Sequence, residues 1–150
     1  MKKLRPTRIR DFIMYFTYLE KIAIIYVASA VAVADCDFSK EESFFRSKIA
    51  VFFNLNNDDM PAVGNLEIEE ACDIIANMST EKKRLVAAIM TYMKDVDGSS
   101  GSNEFAIISY ISILARLPFV DQDEAYNLLK RLGLIGGKLS LLWGSLKYGG

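Results

Sequence analysis

Two short acidic segments contain the side chains best suited to bind a ligand. They hold seven carboxylates: Asp35, Asp37, Glu41 and Glu42 in the first, and Asp95, Asp97 and Glu104 in the second. Carboxylates that lie close together repel one another unless a cation lies between them. Hard divalent cations bind through shells of oxygen ligands. The seven residues therefore form a candidate metal site, with calcium as the candidate cation.

The two segments belong to an internal repeat with a spacing of 62 residues. At this spacing Asp35 aligns with Asp97, and Glu42 aligns with Glu104, without a gap. In each unit an Asp follows a helix, a loop comes next, and a Glu lies in the first turn of the following helix. Two helical hairpins related by a pseudo-two-fold axis would bring both acidic loops to one face of the molecule.

The same acidic residues also have a purely structural interpretation. Asp and Ser cap helix starts, and a Glu in the first turn interacts favourably with the free amides and the helix dipole. The pattern "SKEE" at residues 39–42 is such a capping box. An EF-hand starting at Asp95 is excluded, because the glycine at its sixth position and the glutamate at its twelfth are missing.

The composition argues against catalysis. The chain contains no histidine, which removes the commonest general base and zinc ligand. It also has no phosphate-binding glycine loop and no activated nucleophile. Cys36 and Cys72 resemble ordinary thiols of a reducing compartment. A non-enzymatic protein is therefore expected, and a two-metal carboxylate hydrolase is the less favoured alternative.

Apolar residues recur at steps of three and four along almost the whole chain, which predicts an all-α fold. The expected architecture is a single compact domain over residues 1–150, with six to seven helices. It has a basic arm at residues 1–10 and an apolar, glycine-punctuated tail at residues 134–150. The predicted helices cover residues 9–34, 39–54, 66–78, 79–94 and 103–116, and a sixth opens at residues 121–124 and is closed by Gly133 as its C′ residue.

The apolar run "IAIIYVASAVAVA" at residues 22–34 could belong to a signal peptide or to a buried helix. A signal peptide is disfavoured because Asp11, Glu20 and Lys21 lie between the basic start and the run. The run is also shorter than the ~20 residues that span a bilayer. It predicts a central helix enclosed by others, in a cytoplasmic protein without a transmembrane segment.

The segments "AVAVADCDFSKEE" and "DGSSGSNE" resemble the two acidic loop motifs of the TerB-like tellurite-resistance family. Its helical domain also occurs in some membrane-anchored J-domain co-chaperones. The resemblance covers about residues 27–132. It implies a cytoplasmic helical domain with an acidic, metal-binding surface that acts in stress-response assemblies near the inner membrane. Two residues depart from the family's loop motifs: Cys36 stands where the first motif has a glycine, and Ser100 stands where the second has a hydrophobic residue.

Two functions follow as alternatives. The first is a metal-binding or adaptor domain that contacts a protein partner, which is membrane-associated if the resemblance holds. The second is a metal-independent scaffold that docks through its basic arm and its tail, where Trp143 and Leu142 are candidate partner-binding residues. Nucleic acid is not an expected partner, because 18 basic and 19 acidic residues nearly balance.

Overall fold

Seven α-helices and one 3₁₀ turn form the part of the chain described by the computed structural model, residues 15–34, 40–96 and 102–136. The helices are α1 (Tyr18–Val33), α2 (Lys40–Phe52), α3 (Met60–Gly64), α4 (Ile68–Ala76), α5 (Thr80–Val96), α6 (Ser102–Leu114) and α7 (Gln122–Arg131), and the 3₁₀ turn is Asn57–Asp59. Every regular element in these ranges is helical, and they share one hydrophobic core. The prediction of a single all-α domain is confirmed.

Helix α1 is the central element of the core. Half of its residues are buried, and it contacts α2, α3, α4, α5 and α6. A helix that is apolar on nearly every side is stable in water only when other helices cover it. The prediction of a central helix is therefore confirmed, and the buried residues of this helix lie in the run at residues 22–34.

The start of α1 differs from the prediction of a helix from residue 9. The helix begins at Tyr18, and residues 15–17 are not helical. Thr17 ends the preceding segment because its side chain accepts a hydrogen bond from the Glu20 amide (3.1 Å), while Glu20 accepts one from the Thr17 amide (2.9 Å). This reciprocal capping box is a strong helix start. The apolar residues that recur every three or four positions extend through Thr17, so the apolar pattern did not indicate where α1 begins.

The 62-residue repeat is confirmed in the helix boundaries. Adding 62 to the first residues of α1 and α2 gives the first residues of α5 and α6, and α2 and α6 are both 13 residues long. The N-caps correspond as well, since Ser79 accepts a hydrogen bond from the Lys82 amide (3.3 Å) as Thr17 does from Glu20. The two helix pairs are therefore structural copies of each other.

The ends of α2 and α6 are also copies. Asn54 (φ 60°) and Arg116 (φ 54°) adopt the left-handed conformation that terminates many helices. The amide of Leu55 donates to the carbonyl of Ala50 (2.8 Å), and the amide of Leu117 donates to the carbonyl of Ser112 (3.0 Å). Both bonds close the six-residue ring of a Schellman motif.

The repeats diverge after these caps. The sequence predicted only a turn-rich break around residues 54–61, and that interpretation was incomplete. Asn56 caps the 3₁₀ turn by accepting from the Asp58 amide (2.8 Å), and α3 follows with Pro61 in its first turn, where proline is tolerated. Helices α4 and α7 then pack against α1 and α5, respectively.

The remaining boundaries agree with the predictions to within two residues at most ends. Gly133 has φ 77° directly after the last turn of α7 and is the predicted residue beyond its C-cap. Leu134 and Ile135, at the start of the predicted tail, are buried. Within the described residues, no helix is both long and apolar enough to cross a membrane.

Candidate functional site

Two of the seven predicted metal ligands have described side chains, and both belong to the second acidic segment. Asp95 is half-buried in the last turn of α5. Glu104 lies in the first turn of α6 and is only 2% exposed, which makes it the one buried charged side chain among the described residues. Removing a carboxylate from water is costly unless other groups compensate it. Its burial sets Glu104 apart from an ordinary first-turn glutamate.

The other five predicted ligands lie wholly or partly outside the described residues. Asp35, Asp37 and Asp97 fall in residues 35–39 and 97–101. Glu41 and Glu42 lie on the described backbone of α2, in its first turn, but their side chains are outside the description. Among the side chains that are described, no three His, Cys, Asp or Glu residues form a group able to hold a metal ion. The seven-residue metal site therefore stays a prediction.

The helix ends that flank the two acidic segments lie at the same end of the molecule. The rings of Phe45, near the start of α2, and Tyr92, near the end of α5, are 4.5 Å apart. At the opposite end, the starts of α1 and α5 meet where Lys82 Nζ lies 2.7 Å from Glu20 Oε1. The first turns of α1 and α5 therefore meet, and these two helices are in contact.

The ion pair of Glu20 and Lys82 joins equivalent positions of the two repeats. Both side chains are only 16% exposed. Lys82 Nζ also lies 5.2 Å from the centre of the Phe16 ring, within the range of a cation–π contact. The repeat pattern shows that these positions correspond, but only the tertiary structure shows that they touch.

A second acidic surface lies on α4, and the ligand prediction did not include it. Every exposed side chain of α4 is acidic: Glu69, Glu70 and Asp73. The hydroxyl of Tyr110 on α6 donates to Glu69 Oε2 (3.1 Å), and this hydrogen bond raises the pKa of Tyr110. The sequence signal for this surface is the absence of Lys and Arg from residues 49–81, which contain seven acids.

The outer face of α6 is uncharged and exposed. It consists of exposed Phe105, Ala106, Tyr110 and Ile113 and half-buried Ser109, which recur at the three- and four-residue steps of one helix face. Ile113 is 74% exposed and Phe105 56% exposed. In α2 the equivalent face contains Lys48, whose ammonium lies 5.6 Å from the Phe44 ring centre. The α6 face therefore differs from its repeat partner by having no charge.

The two cysteines and the tail candidates complete the predicted functional residues. Cys72 is a free thiol in the core, and burial raises its pKa to about 11, with a smaller contribution from Glu69. Such a thiol is a poor nucleophile. Cys36, Leu142 and Trp143 lie outside the described residues.

A comparison with solved structures finds a protein of similar fold. It is a protein of unknown function from Porphyromonas gingivalis W83, with a TM-score of 0.64 and 29% sequence identity. The match covers 77% of this chain and 97% of the other. The bacterial protein therefore has nearly its whole length in common with this fold. A comparison with family models gives no match, and neither does a comparison with curated proteins.

Proposed function

We propose that this protein is a non-enzymatic adaptor domain that binds a divalent cation through its paired acidic loops, of the type found in the TerB-like tellurite-resistance family. The observation that carries the proposal is the position of the helix ends in the 62-residue repeat. Phe45 in the second turn of α2 contacts Tyr92 in the next-to-last turn of α5, and the two acidic segments adjoin these same two helices, one before α2 and the other after α5. Two acidic loops that begin and end there would face the same solvent region.

The burial of Glu104 supports the same proposal. A glutamate that only caps a helix can stay in water, whereas Glu104 is withdrawn from it. A bound cation would be one of the groups that interact with this buried carboxylate. The donor set of Asp and Glu oxygens suits a hard cation such as Ca²⁺. In this proposal Asp35, Glu42, Asp97 and Glu104 are the principal ligands, and the cation would hold the two loops together.

The test is a thermal-unfolding titration of the full chain. After dialysis against a chelator, the melting temperature is measured with increasing Ca²⁺, Mg²⁺ or Mn²⁺. A cation at 100 times its dissociation constant adds about 2.7 kcal/mol to the free energy of unfolding. For a domain of this size, that increase corresponds to a rise of about 5–11 °C. We expect a saturable rise with at least one cation.

Paired variants separate a specific site from general charge effects. The double change Asp35→Asn and Asp97→Asn should abolish the rise. The control Asp58→Asn and Asp123→Asn removes the same charge from exposed positions of the 3₁₀ turn and α7, and it should keep the rise. A flat response of the unchanged protein to all three cations would refute the metal proposal. It would favour the metal-independent scaffold, for which partner binding should fail on truncation after Gly137.

A further inference from the structure

We propose that the outer face of α6 and the acidic face of α4 form a docking surface for a cationic amphipathic helix of a partner protein. The surface consists of Phe105, Tyr110 and Ile113 on α6, with Glu69, Glu70 and Asp73 on α4. This proposal goes beyond the metal proposal and does not depend on it.

The apolar part of the surface has the form of a helix-packing face. Phe105, Ser109 and Ile113 are spaced four residues apart, so they form one of the ridges by which helices interdigitate. Tyr110 adds an aromatic ring beside this ridge. The inner side of α6 is already used, because Ile108 and Ile111 lie in the core and the helix contacts α1, α4 and α5. Among the described residues, no helix covers the outer side, and its exposed apolar area is the kind of surface that proteins use for partners.

The acidic part of the surface identifies the charge of the partner. Helices α4 and α6 are in contact, and the hydrogen bond from Tyr110 to Glu69 joins the two faces directly. No Lys or Arg occurs in residues 49–81 or 102–115. Lys83 of α5 approaches the end of α4, where its ammonium donates to the Ala76 carbonyl (3.3 Å). An apolar stripe bordered by carboxylates on α4 is complementary to a helix that carries Lys or Arg beside its apolar residues.

The same charges disfavour other occupants. A second copy whose α6 packed antiparallel to this one would bring two acidic α4 faces towards each other, and like charges at an interface are unfavourable. Anionic lipid and nucleic acid would be repelled for the same reason. A cationic amphipathic helix gains both apolar burial on α6 and attraction to α4.

The probe is a fluorescent amphipathic peptide of leucine and lysine, roughly 14 residues long to match the length of α6. Its binding to the full chain is measured by fluorescence anisotropy in the presence of chelator, which removes any contribution from the metal site. We expect saturable binding that weakens as salt is raised. The matched peptide in which glutamate replaces lysine should not bind.

Two pairs of variants locate the peptide. Ile113→Ser should weaken binding about tenfold, because it removes a large apolar contact. Val51→Ser changes the equivalent position of α2, which is 76% exposed, and should leave binding unchanged. The change of Glu69→Gln with Glu70→Gln should weaken binding several-fold, whereas Asp58→Asn with Asp123→Asn should not.

Several results would overturn the inference. They are absence of saturable binding, equal binding of the glutamate peptide, or equal effects of Ile113→Ser and Val51→Ser. Self-association of the chain that is lost on Ile113→Ser, without peptide binding, would also refute it and would assign the surface to a second copy. Since the binding assay contains chelator, a failure of the metal proposal would not alter any of these outcomes.

Discussion

Exchanging the charges of Glu20 and Lys82 tests the repeat as a physical relation within the fold. The two residues occupy equivalent positions and form a 2.7 Å ion pair in which both side chains are 16% exposed. Exposed ion pairs contribute about 1 kcal/mol or less to the free energy of unfolding. At an effective dielectric constant of 20, the attraction between two opposite charges approaches ~4 kcal/mol before the cost of desolvation is subtracted. For this partly buried pair we take a net attraction of about 1–2 kcal/mol.

Each single reversal should be destabilising, because it replaces this attraction with a repulsion of similar size. Lys82→Glu should cost about 2–4 kcal/mol and lower the melting temperature by about 4–16 °C. It also removes the cation near the Phe16 ring. Glu20→Lys should cost more, because it also destroys the capping box with Thr17.

The double exchange should recover most of the stability. It restores an ion pair, and it transfers the glutamate of the capping box from the Thr17 cap of α1 to the Ser79 cap of α5. We expect the double variant to lie within about 1 kcal/mol of the unchanged protein, which requires a coupling energy of about 4 kcal/mol or more in the double-mutant cycle. The assay is urea unfolding followed by circular dichroism, with all four proteins at one ionic strength.

The exposed pair of Arg84 and Glu124 is the matched control, since its side chains are 45% and 44% exposed. Its single reversals should cost less than about 1 kcal/mol each. If the double exchange of Glu20 and Lys82 is no more stable than Lys82→Glu alone, the two sites do not interact as equivalent positions, and the reasoning fails.

Two further predictions concern the helix caps and the buried thiol. Arg116→Gly should raise the free energy of unfolding in urea by roughly 0.5–1 kcal/mol, because glycine adopts φ > 0 without strain. Asn54→Gly should raise it less, because asparagine tolerates this conformation. A lower free energy of unfolding in both variants would contradict the cap assignment. Burial raises the pKa of Cys72 to about 11 from 9.0, so the protonated thiol favours the folded state below pH 9 and this contribution is lost as the pH rises towards 11. In a Cys36→Ser background, the native protein should resist a thiol reagent at pH 8 and react once it is unfolded. The Cys72→Ala variant should show a smaller decrease in the free energy of unfolding above pH 9. Rapid labelling of the native protein would refute the burial of the thiol.

The helices and the repeat could be predicted because their signals are local. The apolar period marks α1, α2 and α4–α7, and the capping residues Ser79 and Asp121 lie beside the helix starts in the sequence. The start of α1 was predicted too early because the apolar period extends through Thr17. The capping box that marks the true helix start is a weaker sequence signal than this period. The short α3 was missed because its five residues make fewer than two turns, which is too short to show a period.

The candidate site could be predicted only as a set of residues. The spacing of 62 residues aligned the two acidic segments, but a spacing does not show which helix ends lie together in space. That relation required the contact between Phe45 and Tyr92. The burial of Glu104 was equally inaccessible, because a glutamate in a first turn has the same local sequence whether it caps a helix in water or lies beneath neighbouring elements.

The sequence by itself determined that this protein is helical and where most of its helices begin and end, because these properties depend on interactions between residues a few positions apart. It also determined that the two halves repeat, because the same residue types recur 62 positions apart. Only the tertiary structure decided that Glu20 meets Lys82, that α6 exposes one apolar face, and that α4 places its acids beside that face. Helix α6 is apolar nearly all round, so its composition is equally compatible with full burial and with a docking face. The packing of α1, α4 and α5 around it selects which side chains are left exposed to solvent.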